Sequence, residues 1–214
     1  MSQLRARKIK LLLFDVDGVL TDGKLFFVPE NSPPSGSSPQ QTAHGQIEVK
    51  GFHAHDGVAS SLSRIAGLKT GLITRRVSET VALRARDLRL NHIHQGIQDK
   101  RACFEEIVKQ EGLELEEAAF VGDDIIDLPA MRAAGLAIAA KNARAEVKKE
   151  AHYITPHAGG DGALRDAVEF ILKAQGRWKK VVEAYVGESS PMGRRKLSAC
   201  QLSAKPKIPL TIRP

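Results

Sequence analysis

IKLLLFDVDGVLTDG, residues 9–23, decides the fold. Residues 9–16 form an almost unbroken apolar run, which suits a parallel strand covered on both faces rather than a half-exposed one. The run ends on Asp15 and Asp17, and Gly18 permits a sharp turn directly after them. Downstream the same unit recurs: a short apolar strand, polar residues at its end, then a helix of about ten residues. Strands are expected at 68–73, 92–95, 118–121, 136–139 and 153–155. Helices are expected from residue 56, at 77–88 and 99–110, around Met131 and at 163–173. This alternation predicts an α/β fold, a Rossmann-like and mostly parallel sheet flanked by helices. Thr74 follows one strand and Asp123 and Asp124 another, and that edge of an open α/β sheet is where ligands bind.

Two segments fall outside this pattern. Residues 25–28 and 46–52 read as the strands of a hairpin spanning about residues 24–52. The Pro-, Ser- and Gly-rich stretch 29–45 between them is expected to be an exposed loop without fixed structure. The folded domain is placed at 1–175. A basic extension, 176–214, is expected to be largely flexible apart from a short helix in WKKVVEAYVG.

A chain of 214 residues with 42% hydrophobic residues can bury one substantial core. The formal charge of +7 suggests an anionic partner at first, but its placement argues otherwise. Nine of the 32 basic residues and two of the 25 acidic ones follow residue 175, leaving 23 of each before it. The body is neutral, and the basic segment lacks the interleaved aromatic residues of a nucleic-acid stacking surface, so a nucleic-acid partner is not expected. Only Cys103 and Cys200 are present, which excludes a disulfide scaffold. No run approaches the roughly 20 apolar residues of a membrane span. The basic start leads straight into the first strand without a cleavable leader, and a cytoplasmic enzyme is expected.

The acidic cluster suggests a chemistry. Carboxylates as close as Asp15 and Asp17 repel unless a cation or proton compensates, and hard oxygen ligands beside a phosphate favour Mg²⁺. Asp123 could complete such a site. One carboxylate can then attack phosphorus while its neighbour gives and takes a proton. Thr74, with its hydroxyl and adjacent backbone N–H, and the Lys100 ammonium suit a phosphoryl group. Asp99 reads as a helix N-cap.

These residues carry a resemblance. DVDGVLTDG at 15–23 resembles the first motif of the haloacid-dehalogenase-like phosphatases, Ile73 and Thr74 the second, Lys100 the third, and GDDIIDLP at 122–129 the fourth. The resemblance implies that Asp15 is the nucleophile, Asp17 the general acid/base, Thr74 a phosphate-binding residue and Lys100 a charge-stabilising one. It implies Mg²⁺ held by Asp15, the backbone carbonyl of Asp17 and Asp123, with Asp124 and Asp127 as supporting acids that orient the metal site or Lys100. Over residues 8–175 the chain is more closely similar to the 3-deoxy-D-manno-octulosonate 8-phosphate phosphatases, through LTDGKLFF, FHAHDG, QGIQDK at 95–100 and GGDGALRD at 159–166. That similarity implies a role in lipopolysaccharide biosynthesis, a hairpin in place of a full cap, and a homotetramer in which a neighbouring chain helps close each site. The substrate would be an acidic sugar phosphate, met by Thr74, Arg75, Arg76, His55, Lys100 and Arg165. A nonulosonate 9-phosphate is the alternative substrate, and a non-catalytic phosphosugar-binding protein the alternative function.

Two departures stand out. The family commonly reads Thr-Gly-Arg after the second strand, whereas this chain reads Thr74-Arg75-Arg76. Arg75 takes space where glycine would let the backbone approach phosphate, while Arg76 keeps a guanidinium suited to a sugar carboxylate. The 29–45 insertion is the other. Among the seven histidines, His53 and His55 are expected near the hairpin exit rather than on a metal, and His92 and His94 in structural roles.

Overall fold

The computed structural model describes residues 1–29 and 46–189. In chain order the first half comprises α1 (Ser2–Ala6), β1 (Leu11–Phe14), β2 (Phe26–Pro29), β3 (Gln46–Val49), α2 (Ala54–Ala66), β4 (Lys69–Ile73), α3 (Glu79–Asp87) and β5 (His92–His94). The second half comprises α4 (Lys100–Gln110), β6 (Ala118–Gly122), α5 (Leu128–Ala133), β7 (Leu136–Ala139), α6 (Ala145–Glu150), β8 (Tyr153–Ile154), α7 (Ala163–Ala174) and α8 (Trp178–Ser189).

The first strand is central, as its composition demands. All four residues of β1 are fully buried. Leu12 and Phe14 pack into one apolar layer with residues of α2, α3 and α7. Leu11 and Leu13 enter the opposite layer with Phe104 and Ile107 of α4 and Met131 of α5. Alternate side chains therefore feed two cores, which is why the run carries no polar face.

The six-stranded sheet has the order β5-β4-β1-β6-β7-β8, with every pairing parallel. β1 has β4 on one side and β6 on the other, with Phe14 opposite Leu72 and Val121. The chain thus leaves β1 toward one edge and later returns to build the other. Such a reversal opens a crevice at the carboxyl end of the strand, bordered here by Asp15, Thr74 and Asp123. β2 and β3 form a separate antiparallel hairpin in which Phe26 faces Val49. The expected loop at 29–45 lies, beyond Pro29, outside the described residues.

Two elements were not anticipated. α1 precedes the first strand, where Arg5 Nη1 donates to the Gly135 carbonyl at 2.8 Å and Gln175 Nε2 donates to the Ile9 carbonyl at 2.7 Å. α6 has a single buried residue, Val147. Helices of five and six residues are too short to display a helical period. In the 176–214 extension, α8 packs on α2, with Val181 buried and Trp178 and Tyr185 against the core. Residues 190–214, including Cys200, lie outside the described residues.

Candidate active site

Asp15 directly follows β1 and is 3% exposed, and its N–H donates to the Val121 carbonyl at 3.0 Å. The chain then leaves strand geometry. Gly18 has φ +93°, and Thr21 closes the turn by donating its N–H to the Val16 carbonyl. A Cβ on Gly18 would sit 2.0 Å from Asp123 Oδ2, so both the dihedral and the close approach require glycine. The turn sends the two carboxylates to different partners. Asp15 meets Lys100, whose Nζ is 2.8 Å from its Oδ1, while Asp17 meets Lys50 at 2.5 Å and Arg76 at 3.6 Å.

Lys100 opens α4. Asp99 caps that helix by accepting the Ala102 N–H at 3.0 Å, so the cap fixes where the lysine points. The Lys100 Nζ also donates to Asp127 Oδ1 at 2.6 Å. Burial works against its charge, but the Asp15 and Asp127 carboxylates outweigh burial and hold its pKa above the ordinary lysine value. The other oxygen of Asp127 accepts the N–H groups of Asp123 and Asp124, at 3.0 and 3.3 Å. Both Asp127 oxygens are therefore committed to fixing Lys100 and the backbone after β6. Asp124 is exposed and accepts the Ile125 N–H at 2.7 Å, in a capping box with Asp127.

Asp123 has no such support. Its Oδ1 is buried and has no hydrogen-bond partner. Burial first, then the charges of Asp127, Asp15 and Asp124, raise its pKa to about 7. Burial and the charge of Asp127 raise Asp15 to about 6 against the pull of Lys100. Carboxyl oxygens of Asp15, Asp123 and Asp127 lie within 4.8 Å of one another. This donor set fits a hard divalent cation. All the donors are oxygen, Asp15 Oδ1 and Asp123 Oδ1 accept no hydrogen bond, and a metal charge would offset the burial and mutual repulsion that raise Asp15 and Asp123.

Thr74 directly follows β4 and is 3% exposed, with its Oγ1 accepting the Arg76 N–H at 3.4 Å. Arg75 turns outward, its Nη2 3.4 Å from the Gln98 carbonyl. Arg76 Nη2 donates to Glu48 Oε1 at 2.7 Å. Asp15, Asp123, Lys100 and Asp127 thus form one cluster, and Asp17 and Arg76 an adjoining one. His55 and Arg165 belong to neither: they line a separate depression of about 240 Å³ with His157 and Asp166. Arg165 Nε lies 3.5 Å from Glu169, and its guanidinium sits over the Trp178 ring. His53 Nδ1 accepts the His55 N–H, and His92 Nε2 pairs with Glu111 at 2.7 Å.

Sequence reasoning assigned no role to four residues around this edge. Lys50 and Glu48 reach Asp17 and Arg76 from the hairpin. Asn142 Nδ2 donates to the Gly18 carbonyl at 2.9 Å while its Oδ1 accepts the Gly159 N–H at 2.6 Å, tying the Asp17 turn to the 159–162 loop. Asp56, fully buried, accepts the Arg165 N–H at 3.0 Å and so caps α7 from another helix. The last has a sequence signal, an acid in an apolar setting, but Asn142 has none.

Comparison with known proteins agrees with this geometry. The profile of the haloacid dehalogenase-like hydrolase family matches residues 76–165. The Escherichia coli K12 3-deoxy-D-manno-octulosonate 8-phosphate phosphatase KdsC is 33% identical over 173 residues, covering 81% of this chain and 84% of its own. The chain belongs to the haloacid-dehalogenase-like phosphatases. Within them it is closely related to the KdsC and YrbI phosphatases. A probable YrbI family phosphatase from Pseudomonas syringae superimposes with a TM-score of 0.76 at 36% identity, covering 86% of this chain and 96% of that one. The Moraxella catarrhalis 3-deoxy-D-manno-octulosonate 8-phosphate phosphatase, solved with magnesium, phosphate and KDO, gives 0.75 at 34%, covering 86% and 97%. This chain's aspartate cluster is positioned to chelate a divalent metal. No helix among the described residues is long and apolar enough to cross a membrane.

Proposed function

We propose that this chain is a Mg²⁺-dependent phosphatase of an acidic sugar phosphate, with 3-deoxy-D-manno-octulosonate 8-phosphate as substrate and 3-deoxy-D-manno-octulosonate and phosphate as products. The observation that carries the reading is Asp15 held by Lys100 beside the unsatisfied Asp123, at the reversal point of the sheet. An oxygen of Asp15 attacks phosphorus, forming an aspartyl-phosphate as the bond to the leaving sugar oxygen breaks. Asp17 gives that oxygen its proton. Asp17 then takes a proton from water, whose oxygen attacks phosphorus, releasing phosphate and restoring the Asp15 carboxylate. Lys100 and the Thr74 hydroxyl face the charge of the transferring group. Mg²⁺, held by Asp15, Asp123 and the Asp17 carbonyl, supplies further positive charge there. Asp127 keeps Lys100 in place, and Asp124 orders the backbone beside it.

Arg76 is suited to the sugar carboxylate, with Arg75 at the rim and His55 and Arg165 at a more distant part of the substrate surface. Arg75 also motivates a second reading, in which a nonulosonate 9-phosphate is preferred. Phosphate release across a panel of sugar phosphates, with Mg²⁺ and with chelator, tests both. Fastest turnover of the octulosonate supports the first, and faster turnover of the nonulosonate replaces it. Binding of sugar phosphates without release would make the chain a binding protein.

The hairpin exposes Leu25, Phe26, Phe27, Val28 and Val49, each more than 40% accessible. Such a patch favours a homo-oligomer, and the family resemblance favours a tetramer. Light scattering on the purified chain measures it. For a sugar phosphatase of this kind we propose the cytoplasm as its location, which cell fractionation tests.

A further inference from the structure

Among the described residues only Lys50 and Lys100 are buried lysines. Lys100 is accounted for by the nucleophile. Lys50 directly follows β3, and its side chain is 1% exposed while that of Asp17 is 20% exposed. Its Nζ lies 2.5 Å from Asp17 Oδ1 and 3.6 Å from Glu48 Oε1. From the other side, Arg76 Nε lies 3.6 Å from Asp17 Oδ2 while Arg76 Nη2 binds the same Glu48 oxygen. Each oxygen of Asp17 therefore faces a different cation, and Glu48 ties the two cations together. Burying an ammonium is expensive, and an apolar residue would have closed this position at less cost. Because Lys50 is covered, it touches no substrate itself and reaches one through Asp17 and, by way of Glu48, through Arg76.

We propose that Lys50 is a positioning residue that holds the Asp17 carboxyl for proton transfer to the leaving sugar oxygen, a role that rests on the function proposed above. The transfer moves one proton from Asp17 to the departing oxygen as its bond to phosphorus breaks and the bond to Asp15 forms. The hairpin, through the residue that ends it, thereby sets the acid that the first half-reaction needs. A residue that merely bound phosphate would act equally on every phosphomonoester. A residue that aims the acid acts only where the leaving oxygen needs a proton.

That difference is the test. With Mg²⁺ present, kcat/KM is measured for the sugar phosphate and for glycerol phosphate, whose leaving alkoxides need protonation and of which the second offers Arg76 no carboxylate, and for p-nitrophenyl phosphate, whose leaving phenolate does not. K50M is expected to lower kcat/KM for the sugar phosphate and glycerol phosphate about 100-fold and for the aryl phosphate by less than about 3-fold. For the aryl phosphate, kcat and KM are expected to fall together, because release from Asp15 still requires Asp17 to take a proton from water. K50R keeps the buried charge that Asp17 and Glu48 require and is expected to show the same split at about 10-fold, so the result does not depend on K50M folding. Equal losses on the alkyl and aryl phosphates, no loss, or a loss confined to the substrate that carries a carboxylate overturn the proposal. D17N is the reference: a split in D17N without one in the Lys50 variants rejects only Lys50, whereas no split in D17N rejects Asp17 as the acid and the inference with it.

Discussion

At the residue scale, the site stores like charge that a metal is needed to relieve. Asp15 and Asp123, raised to about 6 and about 7, bind protons in the folded chain near neutral pH that they would have lost when unfolded. At these two groups the folded state holds more protons than the unfolded one between about pH 4 and 7, so their contribution makes metal-free stability fall as pH rises through that window, against a smaller opposite slope from His94 and His152, which burial holds below the usual histidine value. Lys100, raised above its usual value, keeps its charge in both states here and adds no slope. Thermal melts with chelator are expected to show a falling midpoint from pH 5 to 8, and added Mg²⁺ to raise the midpoint more at pH 8 than at pH 5. A flat metal-free profile would contradict the charge crowding. Replacing the nucleophile, D15N, is expected to reduce turnover at least about 1000-fold, checked by phosphate release with Mg²⁺. Gly18→Ala is a sharper probe, since its Cβ would fall within 2.0 Å of Asp123 Oδ2. It is expected to lose Mg²⁺ affinity, read by calorimetry, beyond what its strained dihedral does to stability.

At the element scale, the readable parts were those where one strand's chemistry is local. The run before Asp15 has no polar face because it feeds two cores, and Thr74 and Asp123 follow their strands directly. Asp99 was legible as a cap because capping acts over three residues. Lys50 and Asn142 were not, because their partners lie 33 and 124 positions away and no pattern near either residue points to them. His55 and Arg165 are marked by motif rather than by a local pattern. Their segments match family motifs, yet the side chains turn to a depression apart from the aspartate cluster. What FHAHDG contributes structurally is Asp56, which caps α7 across the helix pair. D56A is expected to cost about 1–2 kcal/mol, measured by urea unfolding, while D56N keeps an acceptor and loses less. Equal losses in both would point to packing rather than capping.

At the scale of the whole molecule, the excess charge and the fold part company along the chain. The balanced body ends near residue 175, but the packed body continues, because α8 sets Val181, Trp178 and Tyr185 against α2 and the core. Arg165 and Lys173 of α7 lie against the Trp178 ring at 5.2 and 5.7 Å, so the helix is held by its neighbours' cations as well as by apolar contact. Arg177 adds a hydrogen bond to the Ala66 carbonyl at the end of α2. Two truncations separate charge from structure. A chain ending at residue 189 keeps every buried contact made among the described residues and is the reference for the shorter one. A chain ending at residue 175 uncovers the α2 and α7 surfaces that α8 seals and is expected to lose about 3 kcal/mol or more, on the scale of one or two buried apolar side chains. Because α8 joins neither the Asp15 cluster nor the Asp17 pairings, turnover per folded molecule of the 175-residue chain is expected to match that of the 189-residue chain at low temperature. A 175-residue chain as stable as the longer one would mean that α8 is an attachment, not part of the core.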